Sequence, residues 1–183
     1  MNGSARERVL AAALELFAEH GVSGTSLQMI ADRLGVTKAA VYHQFPTKEE
    51  IVLAVIDPAL ARLGPLAEAA ESRRTPAARR RAALTGVVDL VVEYRRLSAV
   101  LSFDPVVSRL VRRHPAIAAI QRVVALLTGA DPDDATRVDV LMVAGGLVLA
   151  GTEGNLADLD DETLRRHLLT TAGRTLRLKM SSG

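Results

Sequence analysis

Apolar residues recur along this chain at intervals of three and four, and no long segment alternates as a half-buried strand does. Leu10, Ala13, Leu14 and Phe17 form the first stripe. Ser4 and Glu7 stand ahead of it with capping-box spacing and Gly21 closes it, which predicts a helix over about 6–20. Leu27, Ile30, Ala31 and Leu34 form a second stripe. Thr25 with Gln28 reads as its capping box, and Gly35 ends it where a left-handed backbone is needed. Thr37 caps a third, short helix, in which Val41 and Phe45 lie one turn apart and face inward. Thr47 with Glu50 opens a fourth helix, carrying Ile51, Val52, Val55 and Ile56 toward the core. At Asp57-Pro58 that helix is expected either to kink or to end and restart, since proline removes a backbone donor.

Beyond about Gly64 several helix starts follow one rule, a capping residue followed by proline at the first helical position. Thr75-Pro76 predicts a long helix to about Arg96. Asp104-Pro105 predicts a short one, Pro115 starts the next, and Asp131-Pro132 opens another long one. A final helix is expected over about 161–179, with Leu164, Leu168, Ala172 and Leu176 on one side. The fold class is all-α, about nine or ten helices. An N-terminal three-helix unit over 1–60, with a helix-turn-helix at about 26–45, is joined to a helical bundle over 61–183.

Composition agrees with helix. Of the 183 residues 49% are apolar, dominated by Ala, Leu and Val, and only 3% are aromatic. The absence of cysteine excludes disulfides and thiolate metal sites and fits a reducing cytosol. The N-terminus lacks a secretory signal, and the longest uncharged apolar run, 140–151, is too short to span a bilayer, so a cytoplasmic protein without a membrane partner is expected. His20, His43, His114 and His167 are scattered without a second ligand at metal spacing. No nucleophile elbow or other catalytic signature frames Ser, His or Asp, so neither an enzyme nor a cofactor site is expected.

Charge complicates the simplest picture. Residues 1–61 carry 5 basic and 7 acidic side chains, residues 62–122 carry 12 and 5, and residues 123–183 carry 6 and 9. The helix-turn-helix end is therefore not basic overall, and any affinity for DNA has to come from placed groups. The arginines at 73, 74 and 79–81 read as a solvated helix face. Gly145, Gly146 and Gly151 fall in an apolar helix, each costing about 1 kcal/mol against alanine, so close approach of another helix or of a ligand is expected to compensate.

Two short helices around a Gly-containing turn make a helix-turn-helix, whose second helix can lie in the major groove. With Val41 and Phe45 inward, Lys38, Ala39, Tyr42 and His43 face outward, with Thr37 at the exposed end. Seven residues span roughly 10 Å, comparable to the groove's width. Lys38 can donate to guanine or phosphate, Ala39 and Ala40 allow close approach, and Tyr42 can reach a phosphate. The helix starts near Thr25 and Lys48 present free N–H groups to the backbone.

The series Phe17-x-x-x-Gly21, Thr25-Ser26-x-x-x-Ile30-Ala31, Leu34-Gly35-Val36, Val41-Tyr42-x-x-Phe45 and Lys48-x-x-Ile51 resembles the DNA-binding domain of the tetracycline-repressor (TetR) family over about residues 4–52. The resemblance implies phosphate contacts for Tyr42 and Lys48 and base contacts for Thr37, Lys38, Ala39, Ala40 and His43, with Thr25 and Ser26 at the neighbouring helix start. It also implies a homodimer through about 133–155 and 161–179, for which Leu147, Leu164, Leu168 and Ala172 are the candidate interface residues. The central helices, about 76–155, would line an aliphatic pocket, with Asp89, Glu93, Tyr94, Phe103 and Met142 as candidate lining. The expected function is a sequence-specific transcriptional regulator, a repressor released from a palindromic operator by an apolar small-molecule effector. The alternative is a regulator of the same fold controlled by a protein partner or by abundance.

Overall fold

The computed structural model describes residues 4–95, 97, 104–150, 156 and 158–179. Among them the chain is all-helical, with ten helices. These are α1 (Ala5–Gly24), α2 (Leu27–Leu34), α3 (Lys38–Gln44), α4 (Lys48–Ala61), α5 (Leu63–Glu71), α6 (Pro76–Glu93), α7 (Pro105–Arg113), α8 (Ile117–Thr128), α9 (Asp134–Ala150) and α10 (Asp161–Thr175). They divide into two compact units: Met1–Pro58 with Ala99–His114, and Ala59–Ser98 with Pro115–Gly183.

In the first unit α1 packs on α2, α3 and α7, and α2 packs on α3. Ser4 and Glu7 form the expected capping box, with the Glu7 N–H donating to Ser4 Oγ at 3.2 Å and the Ser4 N–H to Glu7 Oε2 at 2.8 Å. The buried face of α1 is Val9, Ala12, Ala13, Leu16 and Phe17, one position back from Leu10 and Leu14, which are half-buried. At Gly21 the backbone turns to φ 70°, ψ 165°, a conformation that glycine takes without steric cost, and the helix resumes for one short turn. The α2 start differs from expectation. Ser26, not Thr25, is the cap, its Oγ accepting from the Met29 N–H at 3.2 Å, while Gln28 donates to Asp32 at 2.7 Å. Ser26 is exposed and extended, so its hydroxyl can fold back over the first turn, whereas Thr25 points inward. Proline at 58 neither ends nor restarts α4: the helix runs on to Ala61, and the break falls at Arg62. His114, the C-cap of α7, pairs with Asp57 of α4 at 3.1 Å.

The second unit is a helical bundle in which α6 packs against α5, α8, α9 and α10. Ala83, Leu84, Val88, Val123, Leu127, Val140, Leu147, Leu164 and Leu176 bury against one another as its core. Thr75 caps α6 with Pro76 at its first position, and Asp104 caps α7 ahead of Pro105, as the capping-residue-then-proline rule expects. At α9 the rule fails: Asp133 takes the cap, accepting from the Thr136 N–H at 2.8 Å, and α9 begins two residues after Pro132. Asp160 caps α10 by accepting from the Thr163 N–H at 2.8 Å. Both carboxylates are held below their usual range, by hydrogen bonds from Thr136 and from Thr163 respectively. The last helix ends at Thr175, earlier than expected, because Arg177 leaves helical geometry at φ 54°.

Candidate nucleic-acid interface

The α2–α3 turn is built from backbone geometry that the local sequence dictates. Gly35 sits at φ 65°, the left-handed region, which lets the Val36 N–H reach back to the Ala31 carbonyl at 3.0 Å and close α2. Thr37 follows in extended conformation and caps α3, its Oγ1 accepting from the Ala40 N–H at 3.2 Å. On α3, Val41 and the C-cap Phe45 are wholly buried. Arg6 of α1 lies over the Phe45 ring at 4.1 Å and donates to the Gln44 carbonyl at 3.3 Å, which fastens the end of α3 to α1. Arg33 clamps the other side of the motif by donating to Glu15 and Glu19 of α1 at 3.2 and 2.7 Å. The hydrogen bond from Arg33 holds the Glu19 carboxyl below its ordinary range.

With its inner side anchored, α3 presents Lys38, Ala39, Ala40, Tyr42 and His43 to solvent, and Thr37 at its start is exposed as well. Lys38, Ala39, Tyr42 and His43, with Pro46, line one shallow concavity, and Tyr42 is 57% exposed although aromatic. An exposed tyrosine between two alanines and two potentially cationic groups is a surface that a polyanion can approach closely. Ser26 is also exposed, at the N-terminus of α2.

Two residues expected at this surface are committed elsewhere. Thr25 is 2% exposed, and its hydroxyl donates to the carbonyls of Leu16 at 3.1 Å and Gly21 at 2.9 Å. It closes the α1 kink and has no side-chain atom left for DNA. Lys48 spends its ammonium on the carbonyls of Val22, Ser23 and Thr25, at 2.7, 3.3 and 2.8 Å. All three donors of the ammonium are used by the carbonyls at the end of α1, where the helix dipole favours a cation. Nothing local in the sequence marks this. Val22 and Lys48 are far apart in the chain, and only the fold brings the start of α4 to the end of α1.

The second unit revises the remaining candidates. Leu147, Leu164 and Ala172 are buried in its own core, while Leu168 packs against that core and is half-buried. Met142, expected in a pocket, is 68% exposed. Glu93 pairs with Arg62 at 2.9 Å, and Tyr94 is half-buried at the C-terminal end of α6. Phe103 lies outside the described residues. Asp89 does line a groove, of about 800 Å³ between α5, α6 and α10, where it accepts from Arg165 at 2.6 Å. That groove carries four arginines, Arg62, Arg73, Arg81 and Arg165, and so differs from the aliphatic pocket expected.

α9 turns a second apolar stripe away from the core. Val138, Leu141, Met142, Val148 and Leu149 are exposed, at 57%, 71%, 68%, 41% and 57%, and recur at three- and four-residue spacing along one side of the helix. Gly145 and Gly146 stand on this exposed side with no atom within 4 Å of where a Cβ would be. The signal was present in the sequence, because α9 is apolar on more than one face. Which face meets the core could only be read from its neighbours.

A family model for bacterial regulatory proteins of the tetR family matches residues 9–55, the stretch from the buried face of α1 through the first turns of α4. The HTH-type transcriptional regulator SrpR of Pseudomonas putida is 47% identical over 51 residues, 28% of this chain and 24% of that protein. The HTH-type transcriptional regulator RutR of Escherichia coli K12 is 39% identical over 51 residues, 28% of this chain and again 24% of that protein. The matched stretch thus spans about a quarter of the length of these curated relatives. The fold likeness extends much further: a crystal structure of Mycobacterium smegmatis AmtR superposes with a TM-score of 0.71 over 98% of this chain and 89% of that one, at 22% identity. Both relatives are HTH-type transcriptional regulators. The stretch 9–55 is thus similar to bacterial regulatory proteins of the tetR family, and along the rest of the chain the likeness is one of fold.

Proposed function

We propose that the protein is a homodimeric, sequence-specific DNA-binding repressor whose operator is palindromic and whose release is driven by a small-molecule effector. The observation that carries DNA binding is the outward face of α3: Lys38, Ala39, Tyr42 and His43 line one concavity on a helix anchored from behind by Val41, Phe45 and Arg6. Thr37, Ala40 and Ser26 extend that surface at the two helix starts. The test is footprinting on DNA flanking the protein's own gene, followed by anisotropy titrations. Tyr42→Ala is expected to weaken operator binding by about tenfold, the cost of one or two phosphate hydrogen bonds. Lys38→Ala is expected to flatten the dependence of log K on log salt by about 1.8, roughly 0.9 for each of the dimer's two ammoniums, if each meets a phosphate. Absence of salt-sensitive, sequence-specific protection would sink the proposal.

Lys48 enters this reading as a positioning residue that holds α1 to α4 through the Val22, Ser23 and Thr25 carbonyls. Lys48→Met is expected to lower stability by about 1–2 kcal/mol, as lost hydrogen bonds to a charged group do, with the salt dependence of DNA binding unchanged. Unchanged stability in urea, together with a flattened salt dependence, would return Lys48 to the role of phosphate contact.

The dimer is supported by the exposed apolar stripe of α9, at whose centre Gly145 and Gly146 leave room for a second helix backbone. Two recognition helices about 34 Å apart read successive major grooves, which one cannot do. Effector control is supported by the groove between α5, α6 and α10, whose volume of about 800 Å³ is in the range of small-molecule sites. A ligand acts there by favouring one conformation over another, to the extent of its differential affinity. The alternative, control by a protein partner or by abundance, predicts no saturable small-molecule binding in that groove.

A further inference from the structure

We infer that the groove between α5, α6 and α10 binds a small amphiphilic anion, one carboxylate or phosphate head on an apolar tail. α5 and α6 form an antiparallel hairpin, shown by Arg62 pairing with Glu93 at one end and Arg79 Nε donating to the Arg73 carbonyl at 2.9 Å at the other. The groove's charges therefore fall at two ends. At the Arg62 end both guanidiniums are matched, Arg62 by Glu93 at 2.9 Å and Arg165 by Asp89 at 2.6 Å. At the hairpin end Arg73 and Arg81 also line the groove, and among the described residues neither guanidinium has a carboxylate partner.

Between the ends the floor is apolar, with Leu66, Ala82, Leu90 and Leu169. Gly86 lets Leu66 of α5 pack directly on α6 at the middle of this floor, where a Cβ would come within 2.7 Å of Leu66 Cγ and force that side chain aside. From Arg81 to Leu90 the helix advances roughly 13 Å at 1.5 Å per residue. Two unpaired guanidiniums at one end of such an apolar trough match one anionic head, which the planar fork binds through paired hydrogen bonds. The far end, already neutralised, has no use for a second charge, so the ligand is a monopolar amphiphile rather than a dicarboxylate. For its regulatory meaning this inference rests on the groove being the effector site, but binding is measured without DNA and stands or falls by itself.

The test is isothermal titration of the full chain with sodium decanoate below its micelle concentration, with decanol and inorganic phosphate as comparison ligands. Decanoate is expected to bind saturably at one site per chain, with decanol at least tenfold weaker and phosphate weaker still. R73Q/R81Q, at exposed Arg73 and half-buried Arg81, is expected to weaken decanoate at least tenfold. A69F, which fills the trough from an exposed lining position, is expected to do the same. Equal affinity for decanoate and decanol, or no saturable decanoate binding, overturns the inference on the native protein alone. An R73Q/R81Q variant that melts as the native chain does and binds decanoate unchanged overturns it as well.

Discussion

Leu141→Asp is expected to convert the protein from dimer to monomer in solution and to lower operator affinity by about 10²–10⁴-fold, the avidity lost when two linked recognition helices become one. The argument starts from burial. Leu141 is 71% exposed on a single chain, so the substitution removes little from the protomer's own core and its melting temperature is expected to change only slightly. In a two-fold pair, the same position lies in the α9 stripe and meets its symmetry mate or a near neighbour. Two carboxylates there would be desolvated without cations, since Val138, Met142, Gly145 and Val148 surround it on that face. Sedimentation measures the first effect and anisotropy on operator DNA the second. A dimer that survives Leu141→Asp, or a native chain that is monomeric at micromolar concentration, would remove the α9 interface from the proposal.

Phe45→Ala is expected to destabilise the N-terminal unit by about 3–5 kcal/mol, the usual cost of deleting a buried phenyl ring. Phe45 has no exposed surface, and it serves two partners at once: it fills the space beneath α3, and its ring carries the Arg6 guanidinium at 4.1 Å. Loss of the ring leaves a cavity and frees the arginine that also holds the Gln44 carbonyl. The expected readout is a lowered urea midpoint, with faster hydrogen exchange at the α3 amides than at α6. DNA binding should fall at temperatures where the unaltered protein still binds, because the outward residues of α3 keep their orientation only while its inner side is packed. An unchanged midpoint would show that the end of α3 is held by Arg33 and α2 alone.

How much of this was legible in the sequence follows the range of each interaction. The Ser4–Glu7 capping box, the Gly35 turn, the Thr37 cap and the Thr75-Pro76 and Asp104-Pro105 starts all depend on residues within four positions of one another, and all stand as expected. Two local misreadings lie at caps with neighbouring candidates: at α2 the Leu16 and Gly21 carbonyls accept from the Thr25 hydroxyl and Ser26 caps instead, and at α9 Asp133 caps where Asp131 was expected. Proline at 58 sits on an exposed side of α4, and the helix continues through it.

The sequence by itself determined the all-helical class, the helix-turn-helix, and the residues that α3 turns outward, because periodicity and caps act within one or two turns of chain. Only the tertiary structure decided that Lys48 is spent on the end of α1, that Leu147, Leu164 and Ala172 belong to the protomer's own core, and that α9 leaves its glycine face uncovered. It alone also placed Arg73 and Arg81 beside an apolar trough with no carboxylate partner among the described residues, while Arg62 and Arg165 found carboxylates. The physical reason is the same in each case. A helix apolar on two sides, or an arginine with several acids within reach, has more than one acceptable partner, and the choice is made by which helix packs alongside.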